Sequence, residues 1–167
     1  MRIGRSKSNT EKGQSLIEFA LLLPLIVLLI VNAVNFGGFL YAWITVANAA
    51  RAGAEYSLMG GAMASAPSTP TAAQVTALIT NDVASLPNNA SLQVRVCTNR
   101  NSTVTCTGTG TGTTPVDPEQ PLYVLTAVDV TYTYQPFIPL WEFPGLRIHA
   151  TLPPTTIHRT SVMRMMQ

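Results

Sequence analysis

The residue best placed for chemistry is an acid, Glu18, inside an otherwise apolar stretch. No charged residue occurs from Phe19 to Ala50, and Gly13 lies five positions before the acid. A carboxylate inside a membrane helix costs about 2.5–3.5 kcal/mol on insertion scales, so such an acid needs a partner. Cleavage after Gly13 would supply one, because the new α-amine on Gln14 lies one helical turn from the carboxylate. The alternative is that Glu18 reaches the headgroup region near the helix end.

Two cysteines, Cys97 and Cys106, follow the apolar stretch on the side that we expect to be exported. They predict a disulfide that closes a loop of about ten residues, because such bridges persist in an oxidising compartment. Two free, buried thiols are the alternative.

Residues suited to catalysis or metal binding are sparse. His149 and His158 lie nine positions apart without a cysteine or carboxylate at ligand spacing, and no phosphate-binding glycine loop follows a strand. The Thr-Gly repeats from Thr107 to Pro115 are low-complexity sequence and predict a flexible tip. The six arginines after residue 50 are scattered, which argues against a nucleic-acid partner. We therefore expect no enzyme, metal site or cofactor.

The apolar stretch is long enough to cross a bilayer. The transmembrane half is predicted at residues 16–36, which span about 30 Å as a helix. Charged residues make up only 11% of the chain, and Arg2, Arg5, Lys7 and Lys12 precede the stretch. Basic residues favour the cytoplasmic side, which predicts a cytoplasmic N-terminus and an exported C-terminal region.

The remaining pattern divides the chain into four parts. Residues 1–13 are a basic, disordered leader, residues 14–59 form one long helix, residues 60–71 are a linker rich in small and polar residues, and residues 72–167 are the exported domain. Pro24 removes a hydrogen bond inside the helix and predicts a kink, which is either functional or simply accommodated by lipid.

Two features of the long helix bear on its surroundings. Tyr41 and Trp43 are aromatic residues of the kind that favours a membrane interface, so the helix is expected to emerge there. Ala47, Ala50 and Ala54 either line a close helix–helix seam or simply favour helix formation.

The exported region predicts an α+β fold, with a small antiparallel sheet packed on the end of the long helix and one short extra helix. Apolar residues recur at helical spacing between Thr71, a candidate N-cap, and Pro87. Alternation typical of strands occurs in Leu92–Cys97, most clearly in Tyr123–Gln135, and again in Thr155–Met165.

The head of the long helix resembles the type IV prepilin class. In that class a prepilin peptidase cuts after a glycine and the mature chain carries glutamate at its fifth position, as Glu18 would be here. More narrowly, the chain up to about residue 55 resembles the TadE-like minor pilins of the tight-adherence (Flp) pilus system. The residues that carry this resemblance are Gly13, Gln14, Glu18, Phe19, Pro24, Phe36-Gly37, Asn48-Ala49-Ala50-Arg51-Ala52-Gly53-Ala54 and the tail Ser161-Val162-Met163-Arg164.

Two departures from the family pattern shape the expectation. Major Flp pilins usually have tyrosine after the glutamate and end soon after the helix, whereas this chain has Phe19 and a long C-terminal region. Both features indicate a minor subunit. The family often continues with an Arg-Glu-Gly-Ala stretch, where this chain has Arg51-Ala52-Gly53-Ala54.

The resemblance implies a protein of the bacterial inner membrane whose C-terminal domain is periplasmic and which joins a surface pilus after processing. The implied partners are the prepilin peptidase, other pilins and pseudopilins, and inner membrane lipid. Glu18 and Phe19 are the implied assembly residues. Two interpretations stay open beside it, an uncleaved signal-anchor protein with an extracytoplasmic binding domain and a secreted protein cut at Ala47-Asn48-Ala49.

Overall fold

The structure, a computed structural model, describes residues 10–59, 70–112, 114–116, 118, 123–139 and 150–166. The leader up to residue 9, the linker residues 60–69 and His149 lie outside the described residues. The elements are helices α1 (Thr10–Met59) and α2 (Ala72–Asp82), a 3-10 turn (Asn89–Ser91), and strands β1 (Gln93–Arg100), β2 (Thr103–Gly108), β3 (Tyr123–Tyr134) and β4 (Thr155–Met166). The predicted α+β fold is confirmed.

The four strands form one antiparallel sheet in the order β2-β1-β3-β4. Strand β3 lies inside the sheet, between β1 and β4, and nearly all of its residues are buried. Alternating residues such as Val96, Val128 and Ile157 point to the face that packs against the two helices, where they are at most 4% exposed. Because strand side chains alternate between faces, the other half of each strand lines the outer face of the sheet.

Helix α1 has an exposed N-terminal part and a C-terminal part that packs against the rest of the chain. Every side chain from Gly13 to Ile30 is exposed, whereas Ala42, Val46, Ala50 and Ala54 are fully buried against the sheet and α2. These four residues recur every fourth position, so they form one stripe along the helix. Their side chains allow the sheet to lie close to the helix. Of the predicted alanine seam, Ala50 and Ala54 are therefore buried within the chain, whereas Ala47 is half-buried.

Helix α2 is held at both its start and its middle. Thr71 is its N-cap, and it forms the reciprocal capping box with Gln74, which satisfies free backbone donors of the first turn. Val75 and Ile79 are buried against α1 at Gly53, where an added Cβ would lie 2.6 Å from Ile79 Cδ1. The helix ends at Asp82, before the predicted limit at Pro87.

The long helix begins earlier than its sequence predicted. The last four leader residues, Thr10 to Gly13, are already helical. Glu11 and Lys12 are good helix formers, and a single glycine costs a helix only about 1 kcal/mol relative to alanine, so nothing stops the helix at Gly13. The prediction of a disordered leader was wrong for these four residues.

The Thr-Gly segment was predicted as a flexible tip, and for its described residues this was wrong. Thr107 and Gly108 belong to β2, and the chain then crosses the outer face of the sheet. The Arg95 guanidinium donates to the Gly112 carbonyl, and Asn99 Nδ2 donates to the Pro115 carbonyl at 3.2 Å. The composition cannot form a core, but the sheet supplies the hydrogen-bond partners that hold it.

Candidate processing and assembly site

The residues proposed for processing lie on one exposed segment at the head of α1. Gly13 and Gln14 are both helical and exposed, and a Cβ added to Gly13 would meet no atom within 4 Å. Glycine is the weakest helix former apart from proline, so it weakens the helix at this position. The peptide bond after Gly13 is thus accessible on a locally weak stretch of helix.

Glu18 already has one neighbour on its own helix. Gln14 Nε2 donates a hydrogen bond to Glu18 Oε1 at 3.2 Å, across one helical turn. The amide is neutral, so this contact leaves the charge of the carboxylate without a cation. If the chain were cut after Gly13, Gln14 would become the terminal residue, and its α-amine and the positive end of the helix dipole would both lie close to Glu18.

Phe19 and Pro24 continue the same exposed surface. The ring of Phe19 is 60% exposed, which is unusual for an aromatic residue in water and normal for one that contacts lipid or another helix. Pro24 lies within the continuous helix α1. It has no backbone N–H to donate to the carbonyl of Ala20, one turn earlier. A kink at Pro24 stays a prediction.

Cys97 and Cys106 are joined by a disulfide in the structure. They face each other in the antiparallel register of β1 and β2, with their Cα atoms 4.1 Å apart. Cys97 is fully buried beneath the segment that crosses the outer face, and Arg95 Nη2 lies 3.4 Å from Cys106 Sγ. The bridge therefore fastens the edge strand β2 to the sheet and is not part of the site on α1.

His158 lies close to a buried acid in the middle of β3. Asp129 is fully buried, Thr160 donates a hydrogen bond to its Oδ1, and His158 Nε2 lies 3.8 Å from the same oxygen. Within the described residues, no three histidines, cysteines or acids come together as a metal site. A charged residue in the middle of the strongest strand pattern was the signal that could have identified Asp129.

Sequence reasoning also missed two asparagines of α1 that hold the domain on the helix. Asn35 Nδ2 donates to the Ile138 carbonyl at 2.9 Å, and the Ile138 N–H donates to Asn35 Oδ1 at 3.1 Å. Asn32 Nδ2 donates to the Ala150 carbonyl at 3.0 Å. These contacts, which we call the asparagine clamp, hold both described ends of the β3–β4 connection against the helix.

Two tyrosines of β3 support this junction. The Tyr134 hydroxyl donates to the Asn35 carbonyl at 2.7 Å, and the Tyr132 hydroxyl donates to the Pro87 carbonyl. Burial raises the pKa of both phenols, and the negative charge that Tyr134 would acquire raises the pKa of Tyr132 further. Both side chains therefore stay neutral hydrogen-bond donors up to an alkaline pH.

The match to a known protein family lies within helix α1. Residues 13–55 match the family model described as TadE-like protein, which confirms the resemblance over the part of the chain that carries it. No curated protein and no solved structure matches the chain. The match begins at Gly13 and ends near the C-terminus of α1, so it covers the candidate site and the two asparagines of the clamp, but neither their partners nor the sheet.

The disulfide generates a prediction about stability. Replacing Cys97 and Cys106 together by serine should lower the free energy of unfolding by about 2–3 kcal/mol, because a bridge across a loop of this length restricts the unfolded chain by about that amount. Denaturant unfolding of the detergent-solubilised protein measures the change. Reducing agent should have the same effect on the natural chain and none on the double variant; equal stability of oxidised and reduced protein would contradict the prediction.

Proposed function

We propose that the chain is a minor pilin (pseudopilin) of a tight-adherence (Flp) pilus. It is made as a precursor in the bacterial inner membrane, cut after Gly13 by a prepilin peptidase, and assembled with other pilins through its N-terminal helix. Its role is structural and not enzymatic. The observation that carries the proposal is the spacing of Gly13 and Glu18 at the head of an exposed apolar helix, within the segment that matches the TadE-like family.

The exposed half of α1 supports membrane anchoring followed by helix packing. This helix is long and apolar enough to cross a membrane, and none of its most apolar stretch is buried inside the chain. Each large apolar side chain gains about 1.5–3 kcal/mol when it is removed from water. A surface of this kind is stable only against lipid or against other apolar helices, which are the two surroundings that a pilin meets in turn.

The carboxylate of Glu18 supports the assembly role. Once the helix leaves the lipid and packs beside others, an acid on its surface is stable only next to a positive charge or a set of hydrogen-bond donors. A free α-amine on Gln14 of the same or a neighbouring chain meets that need. Such a contact also fixes the axial position of one helix against the next, because a shift of one turn would separate the charges.

A second candidate function is an uncleaved signal-anchor protein with an extracytoplasmic binding domain. It is favoured by the hydrogen bond from Gln14 to Glu18, which gives the acid a partner without cleavage. The secreted alternative fits the structure poorly. Cleavage after Ala49 would remove Ala42, Val46 and Ala49 from the core against which the sheet packs.

The processing step can be tested at Gly13. In cells that contain the peptidase, we expect the mature protein to begin at Gln14, whereas Gly13→Val should accumulate as the full precursor because the bulky side chain blocks the peptidase. Gly37→Val is the matched control, since a Cβ at Gly37 also meets no atom within 4 Å. N-terminal sequencing of the membrane-extracted proteins gives the answer. A natural chain that keeps Met1 would support the signal-anchor candidate.

The role of Glu18 can be separated from processing. Glu18→Ala should be cut at a normal rate and yet be nearly absent from sheared pili, since its carboxylate can no longer pair with an amine. Gln14→Ala is the control: it loses the side-chain amide and keeps the α-amine after cleavage, so it should assemble normally. Immunoblots of cell and pilus fractions measure both. Normal assembly of Glu18→Ala would contradict the pairing, and equal defects in both variants would assign the effect to the amide.

A further inference from the structure

The asparagine clamp fixes the height of the domain on the helix. The exposed, domain-free part of α1 runs from Gly13 to about residue 31, which is about 27 Å at 1.5 Å per residue. That length is close to the hydrocarbon thickness of a bilayer, about 30 Å. Asn32 and Asn35 therefore lie at the membrane boundary if this part of the helix spans the bilayer, and so do the residues that they bond, Ala150 and Ile138.

The surface at this height is apolar. Val34 and Phe36 on the helix are 48% and 54% exposed, and Phe137 and Ile138 on the loop after β3 are 53% and 40% exposed. Rings connect the two elements, because Phe39 packs between Phe36 and Tyr134, and Tyr134 packs against Phe137. We call the four exposed residues Val34, Phe36, Phe137 and Ile138 the membrane-facing patch.

The polar groups behind the patch are paired within the protein. Asn35 is fully buried, and both ends of its side-chain amide bond the backbone of Ile138. Its backbone carbonyl accepts from Tyr134 in addition to its helical bond. Buried polar groups are paired in any folded domain, and this pairing also meets the stricter demand on backbone next to hydrocarbon, which must be satisfied internally. The arrangement places apolar side chains outside and paired polar groups inside.

We propose that the domain rests on the outer surface of the membrane through this patch, so that the protein contacts the bilayer at two places, its helix and the loop after β3. The inference rests on the membrane anchoring in the proposed function. Lipid is the occupant that the structure favours, because the patch is continuous with the exposed apolar surface of α1 that the bilayer would cover. No charged residue occurs in the helix from Phe19 to Ala50 or among residues 130–139.

The consequence is a fixed orientation of the domain. A domain attached by a helix alone can tilt with that helix, but a second contact on one side determines which face of the sheet points away from the membrane. The interfacial location also suits the exposed ring of Tyr41, since tyrosine favours the boundary between lipid and water. Extraction of the subunit into a filament would then have to release the loop together with the helix.

The contact can be tested with fluorescent labels in the full chain, reconstituted in vesicles of phosphatidylcholine and phosphatidylglycerol. A single cysteine is introduced as Leu25→Cys, Phe137→Cys or Val162→Cys in the disulfide-bonded protein and labelled with a polarity-sensitive nitrobenzoxadiazole dye. Val162 is the matched control, because it is 53% exposed, as Phe137 is, and pairs with Ala127. That pair lies about 23 Å along β3 from Tyr134 at 3.3 Å per residue. Ile138→Cys repeats the measurement in case the loss of the Phe137 ring loosens the loop.

We expect blue-shifted emission at Phe137 and Ile138 with several-fold stronger quenching by lipids that carry a nitroxide near the headgroup than at Val162. The Leu25 label should be quenched by a nitroxide deep in the acyl chain. If Leu25 is quenched and Phe137 behaves like Val162, the patch contact is overturned and the membrane anchor stands. If Leu25 is not quenched, the anchor itself fails. A blue shift at Phe137 that depends on protein concentration and shows no lipid quenching would assign the patch to a second copy and overturn the inference.

Discussion

The hydrogen bonds between the Asn35 side chain and the backbone of Ile138 lie where helix α1 passes from an exposed apolar segment into a folded domain. On one side of this junction, from Gly13 to Ile30, α1 presents large apolar side chains that are all exposed. On the other side it becomes the centre of a folded domain. Because the amide can satisfy the Ile138 backbone in only one position, the same two bonds set how far the domain extends toward the membrane.

The two halves of the helix are built for different partners. The first half carries leucine, isoleucine and valine, which gain most from lipid or from a groove between neighbouring helices. The second half buries alanine and valine at every fourth position, where a sheet must come close. Gly53 likewise allows close packing where α1 crosses α2, because Ile79 fills the space that a side chain at residue 53 would occupy. A single element thus connects an exposed apolar surface at one end with a folded domain at the other.

What the sequence predicted well were features that depend on neighbours along the chain. The uncharged stretch after Glu18, the alternation in Tyr123–Tyr134 and the N-cap at Thr71 are all local patterns, and the structure has a helix, a strand and a capping box at those places. The spacing of Gly13 and Glu18 is local in the same way. It indicates a candidate processing site, whose role stays a prediction.

What the sequence could not show were contacts made across long separations. Asn35 and Ile138 are 103 residues apart, and nothing near either residue indicates the other. The Thr-Gly segment has no core-forming side chains, so its order depends on Arg95 and Asn99 of a strand that it crosses. The burial of Asp129 could not be predicted for the same reason, since the segment that covers it forms no recognisable element.

The central claim is that α1 is one uninterrupted helix through the junction, despite the adjacent Gly37 and Gly38. Hydrogen–deuterium exchange of the full chain in lipid vesicles tests this most directly. Amides from residue 32 to residue 42 should exchange as slowly as those of the lipid-covered stretch before them, because the helix and the asparagine clamp protect them together. Fast exchange confined to Gly37 and Gly38 would instead show two helices joined by a hinge, and the claim of one uninterrupted helix would be wrong.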